Sequence, residues 1–279
     1  MVDTTGLSLT IFAAFFFGTY FVPLKRSKNV NPFTYQAFVG IGALIVGIIA
    51  SFLLNIPFQD SIIAFIPGIM WAAANFIGVN AVMNSGISWL SISQATVLLT
   101  SFLWGVLFFR EPFQSLPLAI VGISLLMLGI LLISIGGLKD GNKKRGFAFF
   151  VIAGIIWGSI YVAPLSFRMP ARSIIPSMML AVFLSGLVLF LIGRKFQTSN
   201  ASNSIFSGIL WAIGNVAATL SIDLIGIALA GPLPQLAMLV SVTWGTFYFK
   251  EVEGNKKILR MVVGGLVLVL GAILLAFAK

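Results

Sequence analysis

The octapeptide Trp-Gly-Val-Leu-Phe-Phe-Arg-Glu at residues 104–111 recurs as Trp-Gly-Thr-Phe-Tyr-Phe-Lys-Glu at residues 244–251, an offset of 140 positions. At the same offset, Trp-Ala-Ala-Ala-Asn at residues 71–75 recurs as Trp-Ala-Ile-Gly-Asn at residues 211–215. Two further matches keep the same order: Phe-Gly-Thr at 17–19 with Trp-Gly-Ser at 157–159, and Gly122 and Gly129 with Gly264 and Gly271 after a two-residue insertion. Four matches in one order indicate an internal duplication.

Long apolar runs fill both copies. Of 279 residues, 59% are hydrophobic and only 9% are charged, whereas a soluble domain carries about 25% charged residues. Because the runs are continuous and about as long as a bilayer is thick, we expect an all-α integral membrane protein with ten transmembrane helices. The predicted spans are Leu7–Leu24, Phe33–Leu54, Ile62–Met83, Ile87–Phe109, Leu116–Ile135, Phe147–Leu165, Ile174–Ile192, Ile205–Ile222, Leu224–Phe249 and Met261–Ala278.

The strongly polar segment 139–146 separates the two sets of five spans. We therefore predict a first repeat over 1–138, a basic linker over 139–146 and a second repeat over 147–279. An odd number of spans in each repeat inverts one repeat relative to the other, and inverted repeats that rock around a central site are typical of transporters. Thirteen of the 17 basic residues lie in loops on one face, which predicts a plasma-membrane protein with both termini outside and the linker in the cytoplasm.

Composition excludes several kinds of function. The chain has no Cys and no His, so disulfides, thiol catalysis and histidine-based metal sites are excluded. The net charge of +10 is concentrated in short loops, where membrane topology explains it better than a nucleic-acid partner does. We expect no cofactor, no enzymatic activity and no partner beyond membrane lipids and a small-molecule substrate. A membrane assembly subunit is an alternative, although a repeat would have no evident use in it.

Four amide side chains stand out within the apolar runs. Asn75 and Asn215 lie near the middles of the third and eighth spans, and Gln94 and Gln235 lie in the fourth and ninth spans. Amides both donate and accept hydrogen bonds, as sugar hydroxyls require, so we predict that all four line one central cavity. The alternative is that they hold neighbouring helices together.

Aromatic residues accompany these amides. Trp71 and Trp211 precede the two asparagines by four residues, so each Trp shares a helix face with its Asn and could form an apolar wall. Tyr20, Trp157 and Tyr161 are candidates for the remaining walls, with ordinary packing as the alternative. For Trp104 and Trp244, near span ends, the aromatic belt at the membrane interface is the favoured explanation.

Charged residues near the spans are few. Asp223 has no basic neighbour in sequence and is the candidate for proton coupling, although an interfacial position is favoured. Glu111 and Glu251 follow Arg110 and Lys250, and we expect them to pair locally. Glycines at seven-residue spacing predict that spans five and ten form a scaffold or a homodimer contact, so the protein is a monomer or a homodimer: Gly122, Gly129, Gly136, Gly264 and Gly271.

These motifs resemble the drug/metabolite transporter superfamily, and within it the glucose/ribose uptake porter family. The resemblance is carried by residues 207–215, 225–228, 233–236 and 244–251, and in the first half by residues 68–75, Gln94 and Glu111. It implies a ten-span secondary transporter of a monosaccharide that works by alternating access. An amino acid, an aromatic metabolite or a lipid stays an alternative substrate, because a helix N-terminus can hold a carboxylate without a basic side chain. Family members carry a Gly or small residue where this chain has Arg110 and Lys250.

Overall fold

A computed structural model describes residues 2–27, 30–85, 90–135, 143–193, 200–250 and 254–279. Throughout that part of the chain, all regular secondary structure is helical, which confirms the predicted all-α class. The α-helices are α1 (Thr4–Thr19), α2 (Phe21–Arg26), α3 (Pro32–Leu53), α4 (Ile62–Ser85), α5 (Leu90–Leu103), α6 (Leu116–Ile135), α7 (Lys143–Ser159), α8 (Val162–Ser166), α9 (Ile175–Gly193), α10 (Ala201–Ile225), α11 (Ile227–Ala230), α12 (Ala237–Thr243) and α13 (Asn255–Phe277).

Within these described residues, nine segments are long and apolar enough to cross a membrane. They are Thr4–Arg26, Pro32–Leu53, Ile62–Ala81, Leu116–Ser134, Phe147–Ser166, Ala171–Gly193, Ala201–Ile225, Ile227–Tyr248 and Asn255–Phe277. The predicted fourth span appears as a shorter apolar segment, Ile92–Phe108. Many large apolar side chains point outward, among them Phe52 at 85% exposure and Phe247 at 78%. A surface of this kind suits lipid and not water.

The α10–α11 boundary lies at Gly226. Its φ of +80° is in the region that glycine enters without steric cost, and the chain turns there from one helix into the next. We predicted that the eighth span ends at Ile222 and the ninth begins at Leu224. That boundary is wrong by a few residues, because Asp223 and Leu224 still belong to α10.

Helices α6 and α13 form an antiparallel pair through glycines. A Cβ added to Gly122 would lie 2.7 Å from the Leu275 backbone nitrogen, and one added to Gly129 would lie 2.7 Å from that of Leu268. A Cβ on Gly271 would lie 2.6 Å from the Leu126 nitrogen, so the faces are matched on both sides. The glycine faces of the predicted fifth and tenth spans thus meet each other within one chain. Gly136 lies outside the described residues.

Contacts between helices recur at positions 140 residues apart. A Cβ on Gly18 would meet Ala237 and Val240, and a Cβ on Gly158 would meet the equivalent residues, Val97 and Thr100. Helix α1 therefore packs on α12 in the same way that α7 packs on α5.

The indoles of Trp104 and Trp244 join these same helices by hydrogen bonds. Trp104 Nε1 donates to Ser159 Oγ at 2.8 Å, and Trp244 Nε1 donates to Thr19 Oγ1 at 3.1 Å. Each Trp begins a π-helical turn, Trp104–Phe108 or Trp244–Tyr248. Each N–H group binds another helix of the same chain, so both indoles contribute to helix packing. Their position at the membrane interface stays a prediction.

Candidate functional site

A cavity of about 140 Å³ lies among α1, α4, α5, α7, α10 and the segment that follows Gly226. This volume is several times the roughly 30 Å³ that one water molecule occupies in the liquid, so the cavity has room for a small solute. Eight residues predicted for the site line it: Tyr20, Trp71, Gln94, Trp157, Tyr161, Trp211, Asn215 and Gln235. Two do not line it, Asn75 and Asp223. Among the described residues that form its wall, none carries a charge.

Asn215 is held by a short hydrogen-bonded chain. Its Nδ2 donates to Tyr161 Oη at 3.1 Å, and that hydroxyl lies 2.7 Å from Thr219 Oγ1. Thr219, one turn along α10, in turn donates to the Asn215 backbone oxygen at 2.7 Å. Tyr161 lies between α7 and α8, where the helix is interrupted, so its hydroxyl can reach α10. The network fixes the orientation of the Asn215 amide at the cavity wall.

Two polar atoms at the cavity have no partner in the protein. Gln94 Oε1 and Trp157 Nε1 are both buried without a hydrogen bond. One is an acceptor and the other a donor, and a hydroxyl can satisfy either. A buried polar atom without a partner costs about 1–3 kcal/mol, and a small turn of these side chains towards a hydroxylated ligand in the cavity would remove that cost.

Trp71 and Trp211 stack on each other, with ring centroids 3.6 Å apart and an interplanar angle of 25°. Both are almost fully buried, at 4% and 3% exposure. The sequence predicts a separate apolar wall from each of these two tryptophans. The structure instead joins the two indoles into one wall, where α4 and α10 approach.

Gln235 reaches the cavity from an irregular part of the chain. It belongs to the 3₁₀ turn Leu233–Leu236, between α11 and α12. Pro232 and Pro234 lack backbone N–H groups, which explains why a regular α-helix is interrupted here.

Asn75 lies away from the cavity. It is 1% exposed, and its Nδ2 donates to Gln36 Oε1 on α3 at 2.6 Å. The structure thus brings three of the four predicted amides together and places the fourth elsewhere. Gln36, fully buried, is a residue that our sequence analysis missed. Its signal was available, because it is an uncharged amide inside the second apolar run.

Asp223 holds a loop. Its Oδ1 accepts from the Ala171 backbone nitrogen at 2.7 Å, and its Oδ2 accepts from that of Arg172 at 3.0 Å. These amides begin the 3₁₀ turn Ala171–Ile174 that leads into α9. Both carboxylate oxygens are therefore engaged outside the cavity.

Glu111 is the second carboxylate that binds backbone amides. Its Oε1 accepts from the Ile227 nitrogen at 2.7 Å, and its Oε2 accepts from Lys279 Nζ at 2.6 Å. The expected local pairing with Arg110 is wrong, because the partners of Glu111 lie more than a hundred residues away in sequence. Glu251 lies outside the described residues. Across the described parts of the chain, no cluster of three His, Cys, Asp or Glu side chains could hold a metal ion.

A bundle of apolar helices around a small, uncharged, partly polar cavity defines a membrane transporter. The chain belongs to the sugar transport protein family, which matches residues 9–278, so the predicted family is confirmed. It is a multi-pass integral membrane protein.

Two relatives cover nearly the whole chain. The glucose uptake protein GlcU of Bacillus subtilis is 24% identical over 286 aligned positions, covering 98% of both chains. A Priestia megaterium chain named "Probable glucose uptake protein GlcU" is 22% identical, covering 97% of this chain and 98% of that one. A solved structure named only "Crystal structure of protein" has a TM-score of 0.79 at 16% identity, covering 98% and 99%. That likeness shows the fold alone.

Proposed function

We propose that the protein is a secondary transporter that moves a neutral monosaccharide across the plasma membrane by alternating access. The observation that carries this proposal is the cavity, where Gln94 Oε1 and Trp157 Nε1 are buried without partners beside the Asn215 amide. Sugar hydroxyls can donate to the first atom and accept from the second. The stacked Trp71 and Trp211 supply an apolar surface suited to the C–H face of a sugar ring. Relatives named as glucose uptake proteins support the choice of sugar.

The proposed architecture has ten spans in two inverted repeats, over 1–138 and 147–279 with the linker 139–146. Counting the shorter segment Ile92–Phe108 with the nine longer ones supports ten spans. The equivalent contacts of Trp104 with Ser159 and of Trp244 with Thr19 support a two-fold relation between the halves. Repeats of this kind can rock around a central site and open it to either face.

An amino acid is less suited to this cavity than a neutral sugar. An amino acid or another anion needs a basic side chain or free backbone N–H groups. No charged side chain belongs to the described cavity wall, and the N–H groups of Ile227 and Ala228 already bind Glu111. Coupling through Asp223 would require breaking its two bonds to backbone amides, so we propose facilitated exchange without a proton carried on Asp223.

Sugar binding to the purified protein tests the proposal, with D-glucose and D-ribose as the first probes. Asn215→Leu and Gln235→Leu should each remove one or two hydrogen bonds, weakening affinity by about 1–3 kcal/mol, or about 5- to 150-fold. Asn203→Leu is the matched control, because Asn203 lies on the same helix as Asn215 but binds Ser27 away from the cavity. Unchanged affinity together with lower thermal stability in the Asn215 and Gln235 variants would identify these amides as helix contacts and contradict the proposed site.

The proposed topology has a separate test. Single cysteines at Asp3 and Asn142 can be labelled cleanly, since the chain has no cysteine of its own. We expect an impermeant thiol reagent added outside cells to label the first and not the second. The reverse pattern would invert the topology without affecting the choice of substrate.

A further inference from the structure

A second group of buried polar atoms lies away from the cavity, among α3, α4 and α10. Gln36 and Asn75 share one hydrogen bond of 2.6 Å, which leaves Gln36 Nε2 and Asn75 Oδ1 buried without partners. Exchanging the amide nitrogen and oxygen of both residues would still leave one donor and one acceptor unused. Tyr35 and Ser207 lie nearby and pair with each other through their hydroxyl groups. The two unused amide atoms of Gln36 and Asn75 are therefore the ones that helix packing leaves without a partner.

Asn75 and Asn215 occupy equivalent positions, yet they lie on opposite sides of the Trp71–Trp211 stack. Helix α10 runs from Ser27, which Asn203 contacts, towards Ala171, which Asp223 binds. Helix α4 runs the other way.

The direction of α4 follows from its two ends. It begins just after Gln59, whose backbone binds Ser177 near the start of α9, and it passes Phe76, which packs on Phe33 at the start of α3. Each Asn follows its Trp by four residues, about one helical turn, so Asn75 lies one turn from the stack towards one face of the membrane and Asn215 lies one turn from it towards the other.

We infer that Gln36 and Asn75 form a second sugar-hydroxyl site, which is occupied when the transport path opens towards the face where α3 begins. This inference rests on the proposed transport function. A single hydroxyl can accept from Gln36 Nε2 and donate to Asn75 Oδ1, satisfying both atoms at once. The sugar would pass from the amide of Asn215 to that of Asn75 as the opening changes sides.

Two contacts close the path to this second site in the described state. The Trp71–Trp211 stack lies between the two asparagines. Trp157 covers α4 beyond Asn75, because a Cβ on Gly78 would lie 3.0 Å from Trp157 Cη2. Trp157 also lines the cavity, so its movement away from Gly78 would connect the cavity with the Gln36–Asn75 pair.

The double variant Gln36→Leu/Asn75→Leu tests this inference. It replaces both partners with apolar side chains, so that neither amide is left without its partner and the fold is kept. D-glucose binding at equilibrium should change by less than threefold, because Asn215 and Gln235 hold the sugar in the described state. D-glucose counterflow in liposomes should fall at least tenfold, because the second site is lost. Asn203→Leu should leave both measurements unchanged.

The outcomes separate this inference from the proposed function. Wild-type protein that neither binds nor exchanges D-glucose or D-ribose would remove the proposed function and the inference with it. Wild-type exchange that the double variant matches would overturn the inference alone. As a second measurement, Asn75→Cys should react with an impermeant thiosulfonate from the linker side, and D-glucose should slow that reaction. No reaction during turnover would also overturn the inference.

Discussion

Asn75 and Asn215 follow a tryptophan in the same pattern, but they have different surroundings. Asn215 lies at the wall of an open cavity and is oriented by Tyr161. Asn75 is enclosed and bound to Gln36, and neither of these amides reaches the cavity. Two copies of one motif thus have different surroundings within one chain, one at a cavity and one enclosed. Alternating access would require such a difference between its two sides.

Two carboxylates near the helix that carries Asn215 and the segment after it are held by backbone hydrogen bonds. Glu111 and Asp223 each accept hydrogen bonds from backbone N–H groups of a segment distant in sequence. Glu111 stabilises the start of α11 after Gly226, and the chain from Ile227 to Gln235 then forms one wall of the cavity.

The largest effect should come from Glu111→Ala. It leaves Lys279 Nζ without its carboxylate and frees the Ile227 amide, both largely buried, which should cost about 2–4 kcal/mol of stability. Thermal unfolding in detergent measures this loss. Asp60→Ala is the control, because Asp60 is exposed. Equal melting temperatures for the two variants would show that the hydrogen bonds of Glu111 contribute nothing to stability. The difference between the surroundings of Asn75 and Asn215 would then have another cause.

Much of this arrangement could be predicted from the sequence, and the exceptions have physical reasons. Amides inside apolar runs are visible in the sequence, and the structure places Asn215, Gln94 and Gln235 at the cavity wall. Their contact with a substrate stays a prediction. The repeat predicted Asn75 for the cavity as strongly as Asn215, but a sequence repeat cannot reveal which of the two asparagines is enclosed. Gln36 was overlooked because it lies near the start of its run, where water usually solvates an amide.

The partners of the charged residues were harder to predict, because they lie far away in the sequence. Glu111 binds Lys279 and Ile227, which are distant in sequence. Local spacing therefore favoured Arg110, its neighbour in the chain, as the partner. The eighth span was predicted to end at Ile222, just before the carboxylate of Asp223, whereas Gly226 is the residue at which the chain turns.

A medium effect is expected when either cross-helix indole loses its N–H group. Trp104→Phe and Trp244→Phe keep an aromatic ring but remove the hydrogen bond to Ser159 or Thr19, so each should cost about 1 kcal/mol. Melting temperature in detergent again provides the measurement. Similar losses of stability would support equivalent helix packing in the two halves, although Asn75 and Asn215 have different surroundings. A loss confined to one variant would mean that the halves differ in their packing as well as in their cavities.

The smallest effect on stability concerns the residue two positions after each π-helical turn. Arg110 and Lys250 both have φ of +52°, in the left-handed region where a side chain costs about 1–2 kcal/mol. Both residues are exposed, so replacing them sacrifices little packing. Glycine removes the steric cost but loses more entropy on folding, by about 0.5–1 kcal/mol. Arg110→Gly and Lys250→Gly should therefore each stabilise the protein by a few tenths to about 1 kcal/mol.

The sign of this effect separates backbone strain from loss of charge. Arg260→Gly is the matched control, since Arg260 is also exposed and basic but lies within α13, where glycine should destabilise by about 1 kcal/mol. Higher melting temperatures for Arg110→Gly and Lys250→Gly, with a lower one for Arg260→Gly, would show that the two equivalent turns carry the same strain. A lower melting temperature in all three variants would mean that the basic side chains themselves stabilise the turns, and the equivalence of these turns would then rest on charge and not on backbone geometry.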